Sequence, residues 1–164
     1  MLASQKFKSI ENNLSKILYM VQTNPNFLRY MKYLDNDPLN PDKPDINLEE
    51  VEGQFFDELF DGNTQETKQV LVFFSEQSGN LKSQPLGSDM YVMEFVIPKE
   101  FNTLQGFGKK RCTRLAFEVS TRIDGKNIAG IGQVEIVKYN KFNIGTDYVG
   151  YTLWIEVSTP TIKS

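Results

Sequence analysis

The sequence predicts an α+β fold: a small antiparallel or mixed sheet packed by helices, in the order α-α-(α)-β-β-α-β-β. Two observations carry this. Apolar residues recur at steps of three and four near the N-terminus and again over 111–123, which is helical spacing. Four other segments are rich in β-branched and aromatic residues, and two of these alternate apolar with polar. The 164 residues fit one domain spanning 1–164. Within it lie an N-terminal helical hairpin over 4–34, an acidic proline-rich loop over 35–48 and a sheet-helix core over 67–158. A chain of this length buries roughly 68–70% of its unfolded surface, so it holds a core without covalent staples.

The first helix is read over 4–21, where Phe7, Ile10, Leu14, Ile17, Leu18 and Val21 share one face. Asn24 and Pro25 read as a cap followed by a first-turn proline. A second short helix follows, with Phe27, Leu28, Tyr30, Met31 and Leu34 on its apolar side. Pro38, Pro41 and Pro44 then break the pattern among Asp35, Asp37, Asp42 and Asp45. Proline fixes φ and removes a donor, so this stretch is extended and irregular. A third short helix is read over 48–60 through Val51, Phe55, Phe56, Leu59 and Phe60, ending at Asp61-Gly62-Asn63.

The period then changes. Lys68–Phe74 and Met90–Ile97 read as strands, joined by a polar linker with turn residues at Ser78-Gly79-Asn80 and Pro85-Leu86-Gly87. Pro98 stops the second strand, and 99–110, holding Gly106 and Gly108, reads as an exposed loop. Cys112, Leu115, Ala116, Val119 and Ile123 return to helical spacing, so 111–123 is read as a helix, with a strand over 115–119 as the competing reading. Gly132–Tyr139 and Gly150–Val157 are strands, with Val134, Ile136 and Lys138 in one series and Glu135 and Val137 in the other. A turn through Asn140 to Tyr148 joins them into a hairpin.

Composition narrows the chemistry. Net charge is −3 and the chain has no histidine. The first argues against a general nucleic-acid binder; the second removes the commonest general base and zinc ligand. A lone cysteine, Cys112, forms no intrachain disulfide, and its place on the apolar stripe marks a core thiol in preference to a nucleophile activated by Lys109 and Lys110. No apolar run approaches the length of a membrane span, and the N-terminus lacks a secretory signal, so synthesis in the cytoplasm is expected. Gly106-Phe107-Gly108-Lys109-Lys110-Arg111 lacks the spacing and the lysine-serine or lysine-threonine end of a phosphate loop. Asp35-Asn36-Asp37 begins like a calcium loop but lacks its glycine. The pairs Glu49/Glu50 and Asp57/Glu58 are read as solvated faces. No enzyme activity, cofactor or metal is expected.

Charge is unevenly distributed. Residues 35–61 hold ten acidic residues and one basic, Lys43, whereas 99–126 hold seven basic and three acidic. Two readings stand. The segments pair within one subunit or face water, or they pair head to tail between copies, and such heterologous contacts close into rings when the rotation permits. The second makes Asp35, Asp37, Asp42, Asp45, Lys109, Lys110, Arg111 and Arg114 the candidate oligomer or partner interface.

Several short segments carry a resemblance. They are Phe27-Leu28-Arg29-Tyr30-Met31-Lys32-Tyr33-Leu34, Asp37-Pro38-Leu39, Lys43-Pro44-Asp45, Ile123-Asp124-Gly125-Lys126, Gly132-Gln133-Val134-Glu135-Ile136-Val137 and Gly150-Tyr151-Thr152-Leu153-Trp154-Ile155. Together they cover most of 14–157 and resemble the neck proteins of tailed phages, in particular the tail terminator family. The motifs specify turns and strand ends, not chemistry, and 62–89 matches nothing in that pattern. The resemblance implies a small α+β subunit of a homo-oligomeric ring, a hexamer, that caps the tail tube and joins it to the head. The implied partners are the tail tube protein and the head-completion or connector proteins, with DNA passing through the lumen without specific binding. It implies a place in the virion after assembly in the host cytoplasm. The loops 35–48, 75–89 and 98–110 are the expected docking elements. A basic lumen would hold DNA by its phosphates, so the basic loop is read as a protein contact. The alternatives are a head-completion or connector subunit of the same neck, an acidic protein-binding module, and a carboxylate hydrolase.

Overall fold

In the computed structural model, which describes residues 2–61, 68–79 and 86–160, the elements run α1 (Ala3–Gln22), α2 (Pro25–Lys32), β1 (Phe55–Phe56), β2 (Leu71–Ser78), β3 (Leu86–Pro98), α3 (Arg111–Ile123), β4 (Lys126–Ile128), β5 (Gly132–Ile144) and β6 (Tyr148–Pro160). The strands form one sheet in the order β1-β2-β3-β6-β5-β4. Only β1 runs parallel to its neighbour; every other pair is antiparallel. The α+β class with a mixed sheet is therefore the fold. The hydrogen-bonded centre is β3 against β6, paired from Leu86↔Pro160 to Pro98↔Tyr148.

Alternation along these strands decides which side chains meet the helices. Val72 and Phe74, then Tyr91, Met93, Phe95 and Ile97, then Leu153, Ile155 and Val157 join one buried cluster with the apolar stripes of the helices. From α1 come Ile17 and Val21, from α2 Phe27, Leu28, Tyr30 and Met31, and from α3 Cys112, Leu115, Val119 and Ile123. Each fully buried aliphatic or aromatic side chain here contributes about 1.5–3 kcal/mol. The boundaries of α3 match the sequence reading to the residue, and Cys112 is the core thiol that its stripe position implied. Asn24 caps α2 by accepting from the amides of Asn26 (3.1 Å) and Phe27 (3.4 Å), with Pro25 in the first turn. Phe7, placed on the buried face by its spacing, is instead 55% exposed, at the rim of a pocket it shares with Glu76, Gln77, Asp89 and Tyr91.

Other expectations are corrected. Residues 48–60 form no third α-helix: they make two 3-10 turns, Leu48–Glu50 and Glu52–Gln54, and then β1. The reason is tertiary. The side-chain amide of Gln54 donates to the carbonyl of Val70 at 2.8 Å, and Phe55 and Phe56 pair with Val72 and Phe73, so the backbone is held extended against β2. The joint between the last two strands is not a 140–148 turn. Both strands continue, and only Gly145–Asp147 separate them, with Gly145 at φ 57°. The alternation in β5 also breaks. A bulge between Ile136 and Lys138 moves Lys138 onto the helix-free face, its ammonium 4.9 Å from the Trp154 ring centre. The short strand β4 had no sequence signal of its own; Lys126, Asn127 and Ile128 pair with Val134, Gln133 and Gly132 after the Gly125 turn. The expected 75–89 loop is strand at both ends. Gly62-Asn63, Asn80 and Pro85 lie outside the described residues.

The helix-free face carries a second, smaller cluster: Leu71, Phe73 and Val96, with Phe56, Phe60, Ile144 and Tyr148 against it. Phe56 stacks on Phe73 with ring centres 4.9 Å apart, and Phe60 meets Phe73 edge-on at 5.3 Å. The 55–61 segment thus folds back over the sheet. Further along this face, the outer end of the Phe142 ring lies over Gly150. A Cβ on Gly150 would come within 2.1 Å of the Phe142 ring, closer than any real contact. Gly150→Ala is expected to displace that ring and lower stability by about 1–3 kcal/mol. Urea titration checks this, and the double variant G150A/F142A should recover part of the loss.

Candidate interaction surface

The basic segment contains a residue that does not reach the surface. Arg111 is the largest wholly buried side chain among those described. It opens α3 and turns its guanidinium inward. Nε donates to the carbonyl of Phe101 (2.8 Å), Nη1 to that of Tyr30 (2.6 Å) and Nη2 to that of Asp35 (2.7 Å). Its own amide donates to the carbonyl of Asn102 (2.7 Å), whose side chain in turn accepts from the Cys112 amide (3.1 Å) and caps the helix. Burial brings the Arg111 pKa down to about 10, with the nearby Asp35 carboxylate opposing the shift, so it stays charged at neutral pH. The expectation that Arg111 belongs to an outward interface is therefore corrected: it joins the end of α2, the acidic loop and the 98–110 segment inside one subunit.

The acidic loop is wound around two cations of its own. Arg29, buried on α2, donates through Nε to Pro38 O (3.1 Å), through Nη1 to Lys43 O (3.1 Å) and the Asp45 carboxylate (3.2 Å), and through Nη2 to Asn40 O. Lys43 binds the Asp35 carboxylate at 2.5 Å and the Asp37 carbonyl at 2.7 Å, and lies 5.1 Å from the centre of the Tyr33 ring. The lysine ammonium and the Asp37 amide hold the Asp35 pKa below its usual value against the effect of burial. Prolines explain why the loop needs them. Pro38, Pro41 and Pro44 supply carbonyl oxygens but no N–H, so donors must come from side chains. Sequence reasoning missed Arg29. Its signal was a cation set inside the apolar run Phe27-Leu28-Arg29-Tyr30-Met31, all five of which are buried.

Asp37, Lys109 and Arg114 line one cleft of about 570 Å³, together with Tyr30, Phe117 and Glu118. The acidic and basic segments therefore meet within the subunit. Arg114 lies 5.8 Å from the centre of the half-exposed Phe117 ring. At the cleft wall Glu118 accepts through Oε2 from the Asn24 side chain at 3.0 Å, which ties α3 to the start of α2. Asp42 and Asp45 sit outside this cleft on the exposed loop. Lys110 is held by its own hairpin, its ammonium 2.9 Å from the Thr103 hydroxyl.

That hairpin is firmly built. Thr103 bridges Lys110, the Leu104 amide donates to Lys109 O at 3.0 Å, and Gly106 (φ 108°) and Gly108 (φ 73°) make the turn. At its tip Phe107 is fully exposed (108%). A rigid turn that holds an aromatic ring clear of the subunit is a feature of partner contacts.

The opposite face of the sheet offers a concave counterpart. Leu59, Phe60, Val92, Phe142, Ile144 and Trp154 line a groove of about 570 Å³, with Asp61 and Glu94 beside them. Burial raises the Glu94 pKa above its ordinary 4.5, partly offset by the Phe60 amide donating at 3.4 Å. Among the described residues, no group of three or more histidine, cysteine, aspartate or glutamate side chains converges to hold a metal. No helix described is long and apolar enough to cross a membrane.

Two measurements follow from this geometry. Removing Arg111 leaves the buried Tyr30 carbonyl and the part-buried Phe101 and Asp35 carbonyls without this donor, so Arg111→Ala should cost about 3 kcal/mol. Arg111→Lys should recover little, since one ammonium does not reproduce the planar fork. Urea midpoints read both, and an unchanged midpoint for R111A would contradict the assignment. For Glu94 the folded-state pKa lies above the unfolded one. Its contribution is therefore complete below pH 4.5 and is lost as pH rises through the raised value. Glu94→Gln should match the parent in acid and become relatively more stable as pH climbs past that window, in paired denaturation curves across pH.

No curated protein matches the chain. Residues 24–157, from the cap of α2 through most of β6, match the model of the family described as YomW. That span includes Arg29, Arg111, the Phe107 hairpin and the groove, and the chain belongs to the YomW family.

Proposed function

We propose that this protein is a structural subunit of a phage neck, forming a hexameric ring that terminates the tail tube and joins it to the head. The observation that carries the reading is the outer edge of β5. Pairing with β4 stops at Val134, and Asp124 accepts from the Ile136 amide at 2.8 Å just beyond it. From Val137 to Ile144 no further strand lies against β5 among the described residues, and Val137 and Tyr139 are exposed there. An uncovered strand edge is a template for pairing with another chain. Lys138 and Lys141 along it disfavour indiscriminate pairing and favour an acidic neighbour.

Two further points support the reading. The resemblance to tail terminators runs over most of 14–157, nearly the span of the family match, and YomW is a name of a phage-type gene product. The acidic loop gives little support to a module that mimics nucleic acid, because Asp35 and Asp45 are already paired with Lys43 and Arg29 of the same subunit. In this reading the neighbours are further copies, the tail tube protein and the head-completion or connector proteins. DNA passes through the lumen without a specific site, and the protein resides in the virion after assembly in the host cytoplasm.

Mass measurement of the purified chain, with electron microscopy after mixing with tail tubes, tests the proposal. Hexameric rings, free or at tube ends, are expected. A monomer in both settings overturns it, and rings that attach only to the portal of filled heads move the assignment to head completion.

A further inference from the structure

We infer that Phe107 of one copy seats in the groove on the helix-free face of the next, and that this knob and socket are the specific contact between neighbouring copies. The inference rests on the ring reading and names the residues that make it. Phe107 stands at the tip of a hairpin whose base is closed by the Thr103 bridge to Lys110 and by the buried Arg111. The ring is fully exposed, so docking it removes apolar surface from water without first unpacking anything. Because the hairpin is already fixed, little conformational entropy is lost on binding.

The socket lies on the other side of the same subunit. Leu104, at the base of the hairpin, belongs to the helix-side core, whereas Phe142, Ile144 and Trp154 face the helix-free side. A subunit cannot fill its own groove across its own sheet, but a neighbour can. Unlike surfaces on opposite sides make a head-to-tail contact, the kind that closes into a ring. The groove is roomy for one phenyl ring at about 570 Å³, and Trp154, Phe60 and Phe142 offer it aromatic walls.

Charge selects the same occupant. Phe107 is followed by Lys109 and Lys110, and the groove carries the half-buried Glu94 with Asp61 at its border. An entering ring flanked by ammonium groups meets these carboxylates, and opposite charge fixes its orientation. The Lys138 ammonium lies 4.9 Å from the Trp154 ring centre, so the groove sets one cation beside its two carboxylates.

Trp154 is the single tryptophan of the chain and lines the groove, so it reports occupancy directly. The experiment dilutes the purified protein from about 100 µM downward, following tryptophan emission and sedimentation together. In the parent protein, association should coincide with a blue shift of Trp154. Phe107→Ala touches no internal contact and should keep the folded circular-dichroism spectrum, while association weakens by about tenfold or more and the blue shift disappears. As a second measurement, F107C and F142C chains are mixed under oxidation; a disulfide between the two variants, absent in either alone, supports the seating. Association that F107A leaves intact, or association without any Trp154 shift, overturns the inference while the ring stands. A parent that stays monomeric through the dilution also overturns it, since the contact is specified between free copies; the ring reading is then decided separately by the tail-tube mixture.

Discussion

The guanidinium of Arg111 is the constraint on which the rest of the surface depends. A cation removed from water must be met by oriented acceptors, and here three backbone carbonyls from three different segments converge on it. Tyr30 lies in the last turn of α2, Asp35 opens the acidic loop and Phe101 lies just ahead of the basic hairpin. The fork of arginine donors bridges these three segments, and with it the start of α3, the path of the acidic loop and the base of the Phe107 hairpin become one unit. Arg29 repeats the device on the far side of the acidic loop, again by serving carbonyls that proline-rich backbone cannot satisfy internally.

Because these cations face inward, the charge asymmetry of the sequence has a different meaning from the one its layout suggests. Arg29 and Lys43 pair Asp45 and Asp35 within the subunit, and Arg111 is withdrawn from the surface altogether. Outside remain an exposed phenyl ring with two lysines beside it, a strand edge bearing two more, a groove bordered by two carboxylates, and the exposed acidic side chains of Asp42, Glu49, Glu50, Glu52, Asp57 and Glu58.

The sheet arranges these features by having unequal faces. Three helices close one face with a continuous core. The other is only partly covered, by the 55–61 segment folding Phe56 and Phe60 onto Phe73. The groove is the part of that face left open. The bulge at Val137 matters to it, since the one-residue shift sends Lys138 across the sheet to Trp154 and keeps Phe142 on the groove side over Gly150.

Much of the fold was legible from local pattern. Helical spacing in 111–123 specified α3 to the residue, Asn24-Pro25 specified the start of α2, β-branched and aromatic content located β3, and alternation located β6 and the first half of β5. Those signals are properties of short segments, and burial on one side is enough to make them readable. The 48–60 segment misled because helical spacing of its aromatics competed with contacts to β2 that lie far away in sequence. The extent of β5 and the bulge were likewise invisible, because register is set by the partner strand. For the candidate surface, sequence alone identified the charged segments and the basic loop. Only the tertiary structure decided which of those charges face solvent, because a guanidinium reads the same in sequence whether it meets water or three backbone carbonyls.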